Sequence, residues 1–328
     1  MWSLKELERE IDDVRGRINR HRADLEEYFV KRDDELSLAC LCAAAQEPLL
    51  FVGPPGTAKS DLVVKFVESL GLGEGDYFEY MLTRFTEPSE ILGPIDIDLL
   101  KQGRFVRRTK SRLPEAKVAF LDEIFKSNSA ILNTLLTIVN ERKYYQDGEP
   151  TPVALRMLFA ATNEIPAQTE LDALADRFIL KIETHPVKDT HFTELIDAGV
   201  INDVYRATAQ RPWVRGTVTY EDYLKFKHFM DLSMGEAGSG AADRARWFPP
   251  AVFAEFRRIV RALETEDRVM VSDRKLVKLY RLLRTRAFLL RAGTVTHDDL
   301  VLLCYVGNRR HELPAVQDKV RRLLGMDG

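Results

Sequence analysis

The sequence predicts an α/β fold, with a mostly parallel five-stranded sheet between helices and a mostly helical region after it. Two observations carry this. Between Pro48 and Ile182, short β-type apolar runs (Leu49–Val52, Phe78–Met81, Val118–Leu121, Leu155–Ala161 and Phe178–Ile182) alternate with helical stretches. That alternation implies parallel strands covered by helices. The third run, Val118-Ala119-Phe120-Leu121, lacks polar alternation, as a strand buried on both faces does.

Taken in order, residues 4–28 read as a charged helix with an apolar stripe at Leu4, Leu7, Ile11, Val14, Ile18 and Leu25. The steps alternate three and four, the spacing of a coiled-coil seam. His21 interrupts the stripe, and Gly16 weakens the helix on its outer face. The stripe is expected to pack on the chain's own core or on a neighbouring subunit. The α/β region follows, and Thr184-His185-Pro186-Val187-Lys188-Asp189 reads as a linker. Beyond it Phe192–Ile196, Tyr223–Met230, Pro250–Leu263, Asp273–Leu290 and His297–Val306 read as helices, interrupted by a Gly-rich loop at residues 235–240. The expected division is an N-terminal helix (1–30), an α/β core (31–187) and a helical domain (188–328).

The chain has 328 residues, a 45% hydrophobic and 30% charged composition and a net charge of −3. That length suffices to bury a core, and no basic field marks it as nucleic-acid binding. Its start is too charged for a signal peptide. The longest apolar run, Leu36 to Val52, is broken by Gln46, Glu47 and Pro48, short of a bilayer span. No membrane association is expected, and a cytoplasmic location is. The three cysteines, Cys40, Cys42 and Cys304, lie in apolar stretches and read as buried free thiols. The six histidines are scattered without metal-ligand spacing.

The sharpest motif is Gly53-Pro54-Pro55-Gly56-Thr57-Ala58-Lys59-Ser60, set between the strand Leu49–Val52 and a helical stretch opening at Asp61. That context is what a P-loop needs. Backbone N–H groups and the helix dipole favour phosphate oxygens, Lys59 would bridge the β- and γ-phosphates, and Ser60 would ligate Mg²⁺. The usual pattern has Gly where Ala58 stands. A positive φ there would cost Ala roughly 1–2 kcal/mol. With Gly53 and Gly56 left to shape the loop, Ala58 is expected in the first helical turn, where it is harmless.

Val118–Leu121 delivers Asp122 and Glu123 to the C-terminal edge of the sheet, where ligands bind. Asp122 can hold the Mg²⁺ shell and Glu123 can polarise an attacking water. A further strand ends in Thr162-Asn163, and an amide at that tip could orient the same water. Arg177, just before the last core strand, either pairs at the surface with Asp176 or projects into a neighbouring subunit's site. Arg274 sits in the first turn of a helix, where a solvated charge is equally compatible.

In this order the motifs resemble the MoxR family of AAA+ ATPases, most closely its RavA branch, over residues 28 to 310. Besides those above, the pieces are Thr83-Arg84-Phe85-Thr86-Glu87-Pro88, Gly93-Pro94-Ile95, Gly103-Arg104-Phe105, Leu113-Pro114-Glu115-Ala116, Ala130-Ile131-Leu132-Asn133-Thr134-Leu135-Leu136 and Asn140-Glu141-Arg142. The resemblance implies a P-loop AAA+ core with a helical lid. It also implies an insert at Glu90 to Arg108 interrupting the second core helix, and a hairpin at Glu141 to Pro152. By resemblance Asn163 is sensor 1, Arg177 the finger acting in trans and Arg274 sensor 2. ATP would lie between subunits of a homo-oligomeric, hexameric ring, often served by a partner with a von Willebrand factor A domain, remodelling a protein client. RavA-like proteins continue past the lid into a β-rich domain. This sequence ends at Gly328, so that route to a partner is not expected, and the N-terminal helix is a candidate substitute.

The expected activity is therefore hydrolysis of ATP to ADP by a chaperone-like motor. A nucleotide switch or scaffold shares every binding residue, and a nucleic-acid translocase would need only a few basic residues such as Lys101, Arg104, Arg107 and Arg108.

Overall fold

The computed structural model describes residues 2–165, 169–236 and 241–326. Helix α1 (Leu4–Glu26) is capped by Ser3, whose side chain accepts from the Glu6 amide while the Glu6 carboxylate accepts from the Ser3 amide, a reciprocal box that satisfies two otherwise orphaned donors. From Leu7 to Leu25 the predicted stripe is buried, with Leu4 half-buried, and His21 is buried with it. Its Nδ1 lies 2.9 Å from the Tyr223 hydroxyl and its Nε2 2.5 Å from Ser69 Oγ. It therefore continues the stripe as a hydrogen-bonded core residue. Burial pushes its pKa down to about 4. The stripe meets helices of its own chain.

Helix α2 (Asp33–Ala45) leads into β1 (Leu49–Val52), the loop and α3 (Lys59–Glu68). Then come β2 (Tyr77–Met81), α4 (Pro88–Leu92), α5 (Ile97–Leu100), β3 (Val118–Asp122), α6 (Ser129–Glu141), the hairpin β4 (Lys143–Gln146) and β5 (Glu149–Pro152), β6 (Met157–Thr162), α7 (Thr169–Ala175) and β7 (Leu180–Glu183). The sheet is parallel with strand order β2-β3-β6-β1-β7. The loop after β1 thus leaves the sheet between two later strands, at the point where connections diverge to opposite sides and ligands bind. Alternate residues of β1 serve two cores. Leu49 and Phe51 pack with α2 and α3, and Leu50 and Val52 with α6 and α7, following the period of two along a strand.

The insert is a short excursion: α4, an Ile95–Arg107 antiparallel bridge and α5. At Gly93, a Cβ would lie 1.9 Å from the Arg108 carbonyl oxygen, so Gly alone lets the two limbs close. The insert rests on the hairpin, Asp147 donating to the Phe105 carbonyl at 2.9 Å.

After β7 the chain is helical: α8 (Phe192–Ala207), α9 (Tyr220–Glu236), α10 (Ala241–Trp247), α11 (Pro250–Thr265), α12 (Asp273–Arg291) and α13 (Glu312–Leu323). The stretch His297–Val306, expected as a helix, is helical over His297–Tyr305 and of the 3₁₀ kind. Of the Gly-rich loop expected at 235–240, Gly235 and Glu236 end α9, and 237–240 lie outside the described residues. Core residues of α11 and α12 share one apolar cluster with α1–α3 and the sheet. All three cysteines are buried free thiols. Among the described residues no helix is long and apolar enough to cross a membrane.

Candidate active site

The loop is braced from β7. The Gly53 amide donates to the Thr162 carbonyl at 3.0 Å, and the Thr184 amide donates to that of Val52 at 2.7 Å. The Thr184 hydroxyl meets Thr57 Oγ1 at 3.0 Å, and Thr57 donates to the Pro54 carbonyl at 3.0 Å. A Cβ on Gly53 would lie 2.4 Å from both Thr184 oxygens, so this position admits only Gly. Ala58 departs from expectation. It is the residue before the helix, with φ 64° and ψ 20°, and α3 begins at Lys59. The left-handed conformation is adopted without Gly, at the cost of about 1–2 kcal/mol set out above.

Lys59 is buried, and its ammonium donates to the carbonyls of Gly53 (2.6 Å) and Pro54 (2.8 Å). Burial lowers its pKa, and the Asp122 and Glu123 carboxylates pull it back up. Ser60 is the second residue of α3 and half-buried. Asp61 pairs with Lys65 (2.5 Å) and with Arg206 of α8 (3.2 Å), tying α8 to the helix that follows the loop.

Strand β3 ends at Asp122, whose Oδ1 accepts from the Glu123 amide at 2.8 Å. Glu123 is left-handed at φ 53°, a conformation costly for a side chain of this kind. Its carboxylate is held from two sides, by the Asn163 amide at 2.5 Å and by Lys126 at 2.9 Å. Strand pairing explains the meeting: β6 lies between β1 and β3, so Asn163 leaves the sheet between the loop and the acids.

The three arginines divide. Arg177 is half-buried, and its Nε has no hydrogen-bond partner among the described residues. The neighbouring Asp176 takes the Ser272 hydroxyl at 3.3 Å, which ties the start of α12 to the segment of Arg177, and Arg274 itself is exposed. The arginine that meets the acids' neighbourhood is one the motifs did not single out. Arg310 donates to the Asn163 carbonyl (3.0 Å) and to Glu183 at the tip of β7 (3.1 Å). Arg309-Arg310-His311 reads in sequence as an ordinary basic run, and only the register placing Glu183 beside Val52 would have marked it.

Beside the loop opens a cleft of about 340 Å³, lined by Phe29 and Arg32 ahead of α2, by Gly56–Ala58, by Val187 and by Leu195 of α8. Its apolar walls were not legible in the motif pattern, since Phe29 and Leu195 lie in unrelated segments.

The family profile described as the MoxR domain in MoxR-vWA-beta-propeller ternary systems matches residues 16–218, and an AAA lid domain profile matches 252–320. The chain belongs to the MoxR family. Two uncharacterized proteins of Methanocaldococcus jannaschii are similar to this MoxR protein, at 41% identity over 172 residues (52% of this chain, 44% of theirs) and 42% over 178 residues (54% and 47%). A structural protein of Acidianus two-tailed virus is 33% identical over 180 residues (53% of this chain, 29% of that protein). The chain spans less than half the length of these relatives. A crystal structure of a Cytophaga hutchinsonii protein described as a putative ATPase superposes with a TM-score of 0.70 at 18% identity, over 99% of this chain and 98% of that one. That likeness establishes the shared fold.

Proposed function

We propose that this MoxR protein hydrolyses ATP at subunit interfaces of a homo-oligomeric, hexameric ring and uses the cycle to remodel or mature a protein complex in the cytoplasm. The RavA-like order of motifs belongs to the same reading. The observation that carries it is the Asn163–Glu123 contact at 2.5 Å, within electrostatic reach of Lys59. A protein that only bound nucleotide would need no carboxylate held on the phosphate side by a polar amide.

The residues fit Mg²⁺-ATP. The turn of the loop is open at the exposed Gly56, where nothing lies within 4 Å of a Cβ position. Among the described residues Lys59 meets only carbonyl groups as hydrogen-bond partners, and the Ser60 hydroxyl and Asp122 carboxylate are hard oxygen donors of the kind Mg²⁺ takes. Bound Mg²⁺ supplies charge neutralisation on the phosphates. In this reading Gly53 to Ser60 grip the triphosphate and the cleft beside Asp61 takes the base and ribose. Asn163 holds Glu123 in position, and Glu123 accepts the proton of the attacking water. Arg177 serves a neighbouring copy's phosphates in trans, and Arg274, at the start of α12, is the lid's sensor 2.

The insert, with exposed Ile97, Leu100 and Phe105, is the client-facing element. A von Willebrand factor A-domain protein is the partner, a reading supported by the description of the matching family profile. The basic residues named for the translocase alternative make exposed surface contacts within the insert and hairpin, which weigh only slightly against it. Lys101 binds Asp98, Arg104 binds Asp147, Arg108 binds Asp96, and Arg107 donates to the Gly93 carbonyl. Equilibrium binding of a fluorescent ATP analogue tests the cradle. Wild type is expected to bind and Lys59→Ala to lose binding, and equal affinity in the two would overturn the assignment.

A further inference from the structure

Helix α8 spans 16 residues, Phe192–Ala207, and buries none of them. An isolated helix of that length is marginal in water, and this one keeps Phe192, Ile196, Val200 and Val204 exposed at steps of four. Exposed apolar surface of this extent marks an interaction site. The helix also carries Glu194 and Asp197, exposed and without an ion pair among the described residues.

A complementary surface lies on the lid. Between α11 and α12 runs a groove of about 540 Å³ floored by Phe253, Phe256, Val260, Leu276 and Val277. Its rim carries Arg244, Arg257 and Arg261, none of which makes an ion pair among the described residues, with Glu264 as the one acid. The groove continues into a hollow of about 560 Å³ along the same arginines. An apolar channel edged by unpaired arginines fits an amphipathic helix with acidic flanks, the helix-in-groove mode of recognition.

We propose that α8 of one copy seats in the α11–α12 groove of the next copy of this chain, with Glu194 and Asp197 against the rim arginines. The occupant is a second copy because charge and apolarity match on the two surfaces of one sequence. The contact is head-to-tail, so each copy uses its helix toward one neighbour and its groove toward the other, and repetition closes a ring. The inference rests on the ring reading above and adds the surfaces that build it. It also explains why α8 borders the nucleotide cleft through Leu195 and is tied to α3 through Arg206–Asp61, since docking would then press on the nucleotide site.

The test is charge reversal at exposed residues outside the cleft, read by sedimentation velocity with saturating ATP analogue. Asp197→Arg and Arg257→Glu, each alone, should weaken assembly by about tenfold or more, because like charges face each other across the contact. The double variant Asp197→Arg/Arg257→Glu should regain most of it. Ile201→Glu should also fail to assemble while keeping its helical circular dichroism. Single variants that assemble like wild type, or a double variant no better than the singles, would overturn the docking, including in favour of a foreign protein on α8. ATP-analogue binding by each dissociated variant is measured in parallel. Retained binding with unaffected assembly removes this inference alone, whereas absent binding in wild type removes the ATPase reading.

Discussion

Arg310 of the lid donates to the Asn163 carbonyl 3.0 Å away, while the side chain of that same Asn163 holds Glu123. A lid residue is thereby fixed to the strand tip that positions the candidate catalytic carboxylate, and lid movement has a direct route to it.

Removing that link should slow turnover more than it weakens binding. Arg310→Ala is expected to lower kcat about tenfold, the scale of one charge-assisted hydrogen bond, with nucleotide affinity within about threefold of wild type. Arg310→Lys, which keeps the charge, should recover part of the rate. Phosphate release and analogue binding measured together check this, and an unchanged kcat in Arg310→Ala would show the contact to be packing only.

The half-buried Arg177 carries an Nε without a hydrogen-bond partner among the described residues. Arg177→Ala should keep nucleotide binding and lose turnover by about 10³-fold or more, as arginine fingers do. Mixing it with Glu123→Gln subunits should restore some activity, because one interface then combines an intact finger with an intact carboxylate. Full activity of Arg177→Ala alone would remove the role.

Ala58 offers a stability test of loop strain. At φ 64°, Ala58→Gly relieves a left-handed side chain at the expense of a more flexible unfolded chain. The expected net effect is a gain of up to about 1 kcal/mol in denaturant unfolding. A loss of about that size would mean that the residue occupies ordinary helical space in solution.

His21 predicts a pH dependence. Its pKa falls from 6.5 to about 4 on folding, so between these values the unfolded chain binds the proton more readily. Stability contributed by the neutral ring is present above pH 6.5 and is lost as pH falls toward 4, by about 3 kcal/mol at 1.36 kcal/mol per unit. Unfolding of His21→Gln should show a shallower decline over that window, and parallel curves would contradict it.

Much of this was legible in the sequence because the physics was local or periodic. The central strands bury both faces, so their apolar runs stand out, and the loop, Asp122-Glu123 and Thr162-Asn163 all sit at strand ends. The hairpin at 143–152 appeared where the family resemblance placed it. What was missed depends on distant partners or on backbone geometry. Arg310 meets groups 127 and 147 residues away. His21 looked like a break because its partners, Tyr223 in α9 and Ser69 just past the end of α3, are distant in the sequence. Ala58 was misplaced because the motif does not mark where the helix begins.

The central claim is hydrolysis directed by Glu123 at the loop around Lys59. Steady-state phosphate release with Mg²⁺-ATP, compared between wild type and Glu123→Gln with bound nucleotide measured in both, tests it most directly. Sustained release by wild type, and a variant that binds ATP without releasing phosphate, is the predicted result. A wild type that binds ATP and never turns it over, or a Glu123→Gln enzyme of undiminished rate, would contradict it.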